Sequence, residues 1–380
     1  MRRIPVVPVA LSLACVVALA AWSAPAVTAG EVTRSLRAEM AVAPTAAFAV
    51  ENLAGAMHVV SGSGSGVVVM ATVHAASDET AAMVKVEQVT DEKGVPALRV
   101  IYPLDRYGTI RYAPKGQDHG ASWLGWGGDG TSLKYGGHHV RVSTSSGEPI
   151  FVDVEVQIPA RFGKGTLRNH VGAIAAKGVA GDLTFDTASG DIALDKMNGT
   201  VKADTGSGDI KVSDSEGSLV CDTGSGDVVV ERFTGDRFDG DVGSGDITLR
   251  SGSIRSIKVD TGSGDVAVKD VDAEEFTSDC GSGNLVFETT STRLMHVTTD
   301  SGSGDVTLRL GPAASFEARV DQGSGDLINH YLDAQPIAKG REVIGYRRGD
   351  GRTQIHVETG SGDLVIEPGG ASASRQSASR

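Results

Sequence analysis

Aspartates recur in this chain as pairs five residues apart, and each pair brackets a serine between two glycines. The full phrase Asp-Thr-Gly-Ser-Gly-Asp stands at Asp204–Asp209, Asp222–Asp227 and Asp260–Asp265. Near copies stand at Asp186–Asp191, Asp241–Asp246, Asp279–Asn284, Asp300–Asp305, Asp321–Asp326 and Glu358–Asp363. Three kinds of chemistry come to mind. Carboxylates around a glycine turn suit a hard, oxygen-seeking cation such as calcium, with Asp204, Asp209, Asp222, Asp227, Asp241, Asp246, Asp260 and Asp265 as ligand candidates. Paired acids also serve polysaccharide cleavage, but there one irregular cluster does the work, whereas these acids repeat uniformly. A serine nucleophile needs a base, and no histidine recurs with the serine. The structural alternative is that each Asp caps backbone N–H groups of its own turn.

The closing acid or amide returns every 18 to 21 residues from Asp191 to Asp326, then after 37 at Asp363. The last step, about twice the others, reads as one copy that lost its motif but kept its length. A fixed period of this size signals a repeat architecture. Apolar residues keep register with it. Eight before the closing residue stand Leu183, Val201, Leu219, Phe238, Ile257, Phe276, Val297, Ala318 and Ile355. One after it stand Ile192, Ile210, Val228, Ile247, Val266, Leu285, Val306, Leu327 and Leu364. Alternation on both sides of a glycine break means strand, turn, strand. One such unit cannot bury its own apolar face, whereas stacked units share a core.

The expected fold is therefore all-β, a parallel β-solenoid with neighbouring coils about 4.8 Å apart. The rival is an antiparallel meander or sandwich with the same period. Stacking would turn the serines, from Ser189 through Ser361, into a column. It would also set Cys221 and Cys280 three coils apart. At about 14 Å that exceeds the roughly 7 Å Cα limit for a disulfide, so both are expected as free thiols.

The chain divides as follows. Met1–Ala29 reads as a secretory signal peptide: Arg2 and Arg3, an apolar run from Ile4 to Trp22, then small residues. Its removal takes the formal net charge from −13 to −15, which argues against nucleic acid or anionic lipid as partner. No later stretch is long and apolar enough to span a membrane, so the destination is the periplasm or the cell surface. Residues 30–101 form an N-terminal β region whose Phe48–Val59 is a worn first coil with Ala56 at the closing place. Strands are expected at Val67–Val73 and Ala97–Tyr102, with a helical Ser77–Val86 between them.

Residues 102–149 form a glycine- and aromatic-rich excursion holding Trp123, Trp126, Tyr107, Tyr112 and Tyr135. These five are the partner-binding candidates, for a glycan or an envelope protein. His119, His138 and His139 have no recognised ligand spacing, and Arg348-Gly349-Asp350 is a chance tripeptide. Residues 150–368 carry the solenoid repeats, opened by the alternating strand Ile150–Ile158 and a second worn coil at Leu167–Ala176. Residues 369–380 are expected as a disordered tail.

The pattern resembles the bacterial putative-adhesin domain family of unknown function. Glu51–Val59 matches its leading strand ending in Asn-x-x-Gly, Val154–Ala160 its strand ending in Val-Pro-Ala, and the Gly-Ser-Gly-Asp series its Ser-Gly-Asp-Ile/Val units. The resemblance implies an exported, non-enzymatic β-solenoid with an adhesive or structural role. It carries no catalytic residue and no cofactor.

Overall fold

The computed structural model describes residues 32–113 and 130–369. The repeats form a parallel solenoid of two ladders. In most coils one strand precedes the glycine corner and a shorter one follows it, while Ile247–Ser263 and Val266–Ser282 each run on from one coil into the next. Asn198–Ser207, Glu216–Ser225 and Thr234–Ser244 lie side by side in the first ladder, and Ile210–Ser213 and Val228–Glu231 in the second. Ser225 pairs with Ser207 on one side and Ser244 on the other. Equivalent letters are neighbours in space, and the antiparallel alternative does not hold for the repeats.

Alternation decides what is inside. Leu183, Leu219, Phe238, Ile257 and Phe276 are buried from the first ladder, and Ile192, Ile210, Ile247, Leu249 and Phe287 from the second. The stacked Phe276 and Phe287 rings, with centroids 4.2 Å apart, show the two ladders meeting across one core. Burial of such side chains, worth about 1.5–3 kcal/mol each, drives the stack.

The two worn copies are the first two coils: Phe48 pairs with Gly165 and Met57 with Ile174. Beyond them the chain builds a cap. Gly66–Ala75 runs antiparallel between Val32–Ala41 and Glu148–Ile158, and Lys85–Thr90 pairs with Pro96–Ile101. The helix Asp78–Met83 starts at Ser77, whose side chain accepts the Thr80 N–H, with Asp78 and Glu79 in its first turn. Glu148–Ile158 lies parallel to Met57–Ser61, Val154 beside Met57, on the side away from the repeats.

One expectation fails at the other end. The 37-residue step contains no lost coil. Gln335–Lys339 and Glu342–Arg348 form a hairpin, and its second strand pairs antiparallel with Phe316–Arg319. The final coil then enters between its predecessors. Thr353–Ser361 pairs with His296–Ser303 on one side and Phe316–Ser324 on the other, and Leu364–Pro368 lies between Val306–Leu310 and Leu327–Asn329. The coil closed by Asp326 thus skips a rung, and the coil closed by Asp363 fills it.

Candidate functional site

The motif's polar groups bind coil to coil. The carboxylate Oδ1 of Asp191 accepts the backbone N–H of Asp209 at 3.0 Å, and Asp209 does the same for Asp227 at 3.0 Å. Asp227, Asp246 and Asp265 continue to Asp246, Asp265 and Asn284 at 2.9, 2.8 and 2.7 Å. The amide oxygen of Asn284 takes the Asp305 N–H at 3.1 Å, Asp305 takes Asp363, and Asp363 takes Asp326. The expectation that each Asp caps its own turn is corrected here. At the corner, Ile210 donates to the Asp227 carbonyl and Gly208 to the Ser225 carbonyl. The closing residue's own N–H is served by a side chain from the coil before. Asn284 shows that the task needs an oxygen acceptor and no charge.

The threonine of the phrase, which sequence reasoning passed over, is the second rivet. Thr187, Thr205 and Thr223 are buried and donate to the carbonyls of Gly172, Gly190 and Gly208 at 3.3, 3.0 and 3.1 Å, each in the preceding coil. Asn169 stands at the same place in its worn coil and donates to the Gly55 carbonyl at 2.7 Å. The Asn-x-x-Gly wording and the Thr-Gly-Ser-Gly wording therefore do one job. The glycine before the closing acid is obligatory. Gly245 has φ +143°, and a Cβ there would lie 2.2 Å from the Gly226 carbonyl oxygen.

The outer acid column is less uniform than its letters. Read along the stack it runs Arg99, Glu51, Arg168, Asp186, Asp204, Asp222. Arg168 joins Glu51 at 3.3 Å and Asp186 at 2.9 Å, and Lys202 joins Asp204 at 2.7 Å. Burial, with Asp204 close by, raises the Asp222 pKa above the usual carboxylate range. Further along, Asp241, Asp279, Asp300, Glu358 and Asp321 are exposed. Among the described residues no three acidic, histidine or cysteine side chains converge as a metal-binding group. The calcium candidates are strung along two columns, and at the closing position the carboxylate already holds a backbone N–H.

The excursion's tyrosines divide. Tyr135 is buried, and its hydroxyl donates to the Val100 carbonyl at 2.6 Å. Tyr112 is buried against Phe151. Both were expected as partner-binding rings, and both are pillars of the cap: desolvation pushes their phenol pKa values up and leaves no ring face for a ligand. Tyr107 is half-buried beneath the Arg106 guanidinium, 5.3 Å from its ring centre. Trp123 and Trp126 lie outside the described residues, as do His119, the expected leader Met1–Ala29 and the expected tail beyond Gly369. Cys221 and Cys280 are buried free thiols, and burial pushes the Cys280 pKa up to about 12.

A parallel two-ladder solenoid, riveted by its own repeat motif and capped at one end, is a repeat scaffold in class. Residues 138–367 match the family described as Toastrack DUF4097, and the chain belongs to that family. No curated protein matches the sequence. Solved structures of low similarity include a "putative cell adhesion protein" from Clostridium sporogenes, at 11% identity, covering 88% of this chain and 100% of that one, with a TM-score of 0.21. Others are a "putative adhesin" from Bacteroides fragilis, at 10% identity, 88% and 97% coverage and TM-score 0.35, and a "putative lipid binding protein" from Parabacteroides distasonis, at 10% identity, 88% and 97% coverage and TM-score 0.38. At these TM-scores the likenesses carry no argument. No described helix is long and apolar enough to cross a membrane.

Proposed function

We propose that this protein is an exported, non-catalytic scaffold of the cell envelope. The solenoid serves as a stiff spacer, and the segment bearing Trp123 and Trp126 meets a glycan or an envelope protein. One observation carries the reading. The groups that would do chemistry are spent on neighbouring coils: the closing side-chain oxygens from Asp191 through Asp305 and on to Asp363, and the hydroxyls of Thr187, Thr205, Thr223 and Thr261. A motif whose polar atoms hold the stack together is building material, and fold alone gives no licence for an enzyme.

The aromatic segment leaves the cap beside buried Tyr112 and returns at Gly130–Tyr135, whose last residue is anchored in the same cap. Tryptophans carried between two such anchors suit stacking on sugar rings or on a partner's surface. The test replaces residues 115–128 with a Gly/Ser linker of equal length. The variant should melt as the parent does and lose its signal on an array of envelope glycans. Binding equal to the parent's would end the assignment.

A further inference from the structure

The two ends of the solenoid differ. The first coil is covered by Pro96–Ile101 in one ladder and Glu148–Ile158 in the other. At the far end, the coil closed by Asp326 is covered only in part. Glu342–Arg348 pairs with Phe316–Arg319, and among the described residues no strand pairs with the outer edge of 320–329. Two side chains that would face the core register this. Val320 and Leu327 are half-buried, while their neighbours Val357 and Leu364 are fully buried. Leu332 and Val343, two of the three exposed large hydrophobics among the described residues, belong to the segment that follows this edge.

The edge presents valences that inner rungs fill. In the inner coils, the glycine before the closing acid donates to a serine carbonyl of the next coil, and the residue after it donates to the next closing carbonyl, as Gly208 does to Ser225 and Ile210 to Asp227. The closing Oδ1 accepts an N–H, as Asp209 does from Asp227, and in the rungs where a threonine follows, the glycine carbonyl accepts its hydroxyl, as Gly208 does from Thr223 and Gly245 from Thr261. At the edge these roles fall to Gly325, Leu327 and Asp326. We infer that this edge is a β-augmentation site for an extended partner segment that runs parallel to it and carries a basic residue followed by Ser/Thr-Gly-x-Gly.

Each letter of that wording has a warrant. The hydroxyl reaches the Gly325 carbonyl. The second glycine is demanded by close approach, since a Cβ at Gly264 or Gly283 would lie 2.0 or 2.1 Å from the glycine carbonyl one rung below. The basic residue follows from charge: Asp321, Glu358 and Asp300 stand exposed in successive rungs. Arg168 shows how the column takes a cation, between Glu51 and Asp186. The final coil shows that the fold accepts a strand delivered out of chain order. Main-chain hydrogen bonds would give affinity, and the glycine and the cation selectivity. This site is separate from the aromatic segment and does not rest on it.

The test is fluorescence anisotropy with the full mature chain and a labelled peptide of the Ser256–Lys269 sequence carrying D260K. A saturable rise is expected. A G264A version of the peptide, or Leu327→Pro in the protein, should abolish it. Asp326→Ala should weaken binding by about tenfold, the worth of one good hydrogen bond. Asp326→Asn should hold affinity within about twofold, since Asn284 fills the same role within the stack. Circular dichroism confirms that each variant is folded. No saturable binding, or equal binding of the G264A peptide, overturns the inference. So does concentration-dependent self-association in sedimentation that Leu327→Pro removes while the peptide fails to bind, because a second copy would then be the occupant.

Discussion

At the scale of single residues the motif is a set of rivets with different tolerances. Gly245→Ala combines a backbone at φ +143° with a 2.2 Å clash. It should cost about 3 kcal/mol or more, seen as the largest drop in melting temperature among single motif substitutions. The thiols answer to burial. Cys221 and Cys280 should stay inert to a thiol reagent at pH 8 in the native protein and react fully in denaturant. Rapid labelling of the native chain would contradict their placement.

His170 is one acid-sensitive residue, and burial lowers the His58 pKa as well. Desolvation first, then Arg168, lowers the His170 pKa to about 4. Above the unfolded value near 6.5 both states are neutral, so the full stability is present. As pH falls from there towards 4 the unfolded chain takes the proton and the folded one does not. Stability should fall by up to about 1.4 kcal/mol per pH unit over that window. His170→Asn should flatten that part of the profile, and an unchanged slope would exclude this source.

At the scale of elements, the period, the register and the inward letters were legible in the sequence, because a strand's alternation survives wherever the core is dry. The worn coils at Ala56 and Ala173 were legible for the same reason. Spatial order was not. The final coil carries the same letters as the rest, so nothing in its wording says that it lies between the coils closed by Asp305 and Asp326. The intervening hairpin has a coil's length and so passed for one. Burial of Tyr112 and Tyr135 was hidden because a tyrosine's polar tip suits a surface as well as a satisfied core position. The second corner was equally silent: Lys196, Asp214, Arg232, Ser251 and Asp270 take φ of 50–56° without a glycine to announce it.

The order of coils is open to trapping. His356 lies beside Thr298 on one side and Arg319 on the other. Cysteine pairs at 298/356 and at 319/356 should oxidise readily, since neighbours in a ladder sit about 4.8 Å apart. A 298/319 pair, two rungs apart, should not. Efficient closure of 298/319 would restore simple sequential stacking.

At the scale of the whole molecule, one physical idea joins the parts. Stacking puts like residues next to like, which would pile carboxylates on one another at a cost. The chain turns that arrangement into a ladder in which each closing oxygen holds the backbone of the following coil. A chelator should therefore leave the melting temperature unchanged. Stiffness comes from the unbroken run of closing oxygens from Asp191 to Asp363, and on the reading proposed above the partners are met at the aromatic segment and at the open rung.

The ladder itself is tested most directly by comparing two fourfold variants at Asp227, Asp246, Asp265 and Asp305. With asparagine at all four, the acceptor oxygen remains and the crowded charges go, so the melting temperature should equal the parent's or exceed it. With alanine at all four, four inter-coil hydrogen bonds are lost at about 1 kcal/mol each, and the melting temperature should fall by several degrees. If the asparagine protein melts as low as the alanine one, the carboxylates act through their charge or a bound cation, and the ladder is not what holds the coils.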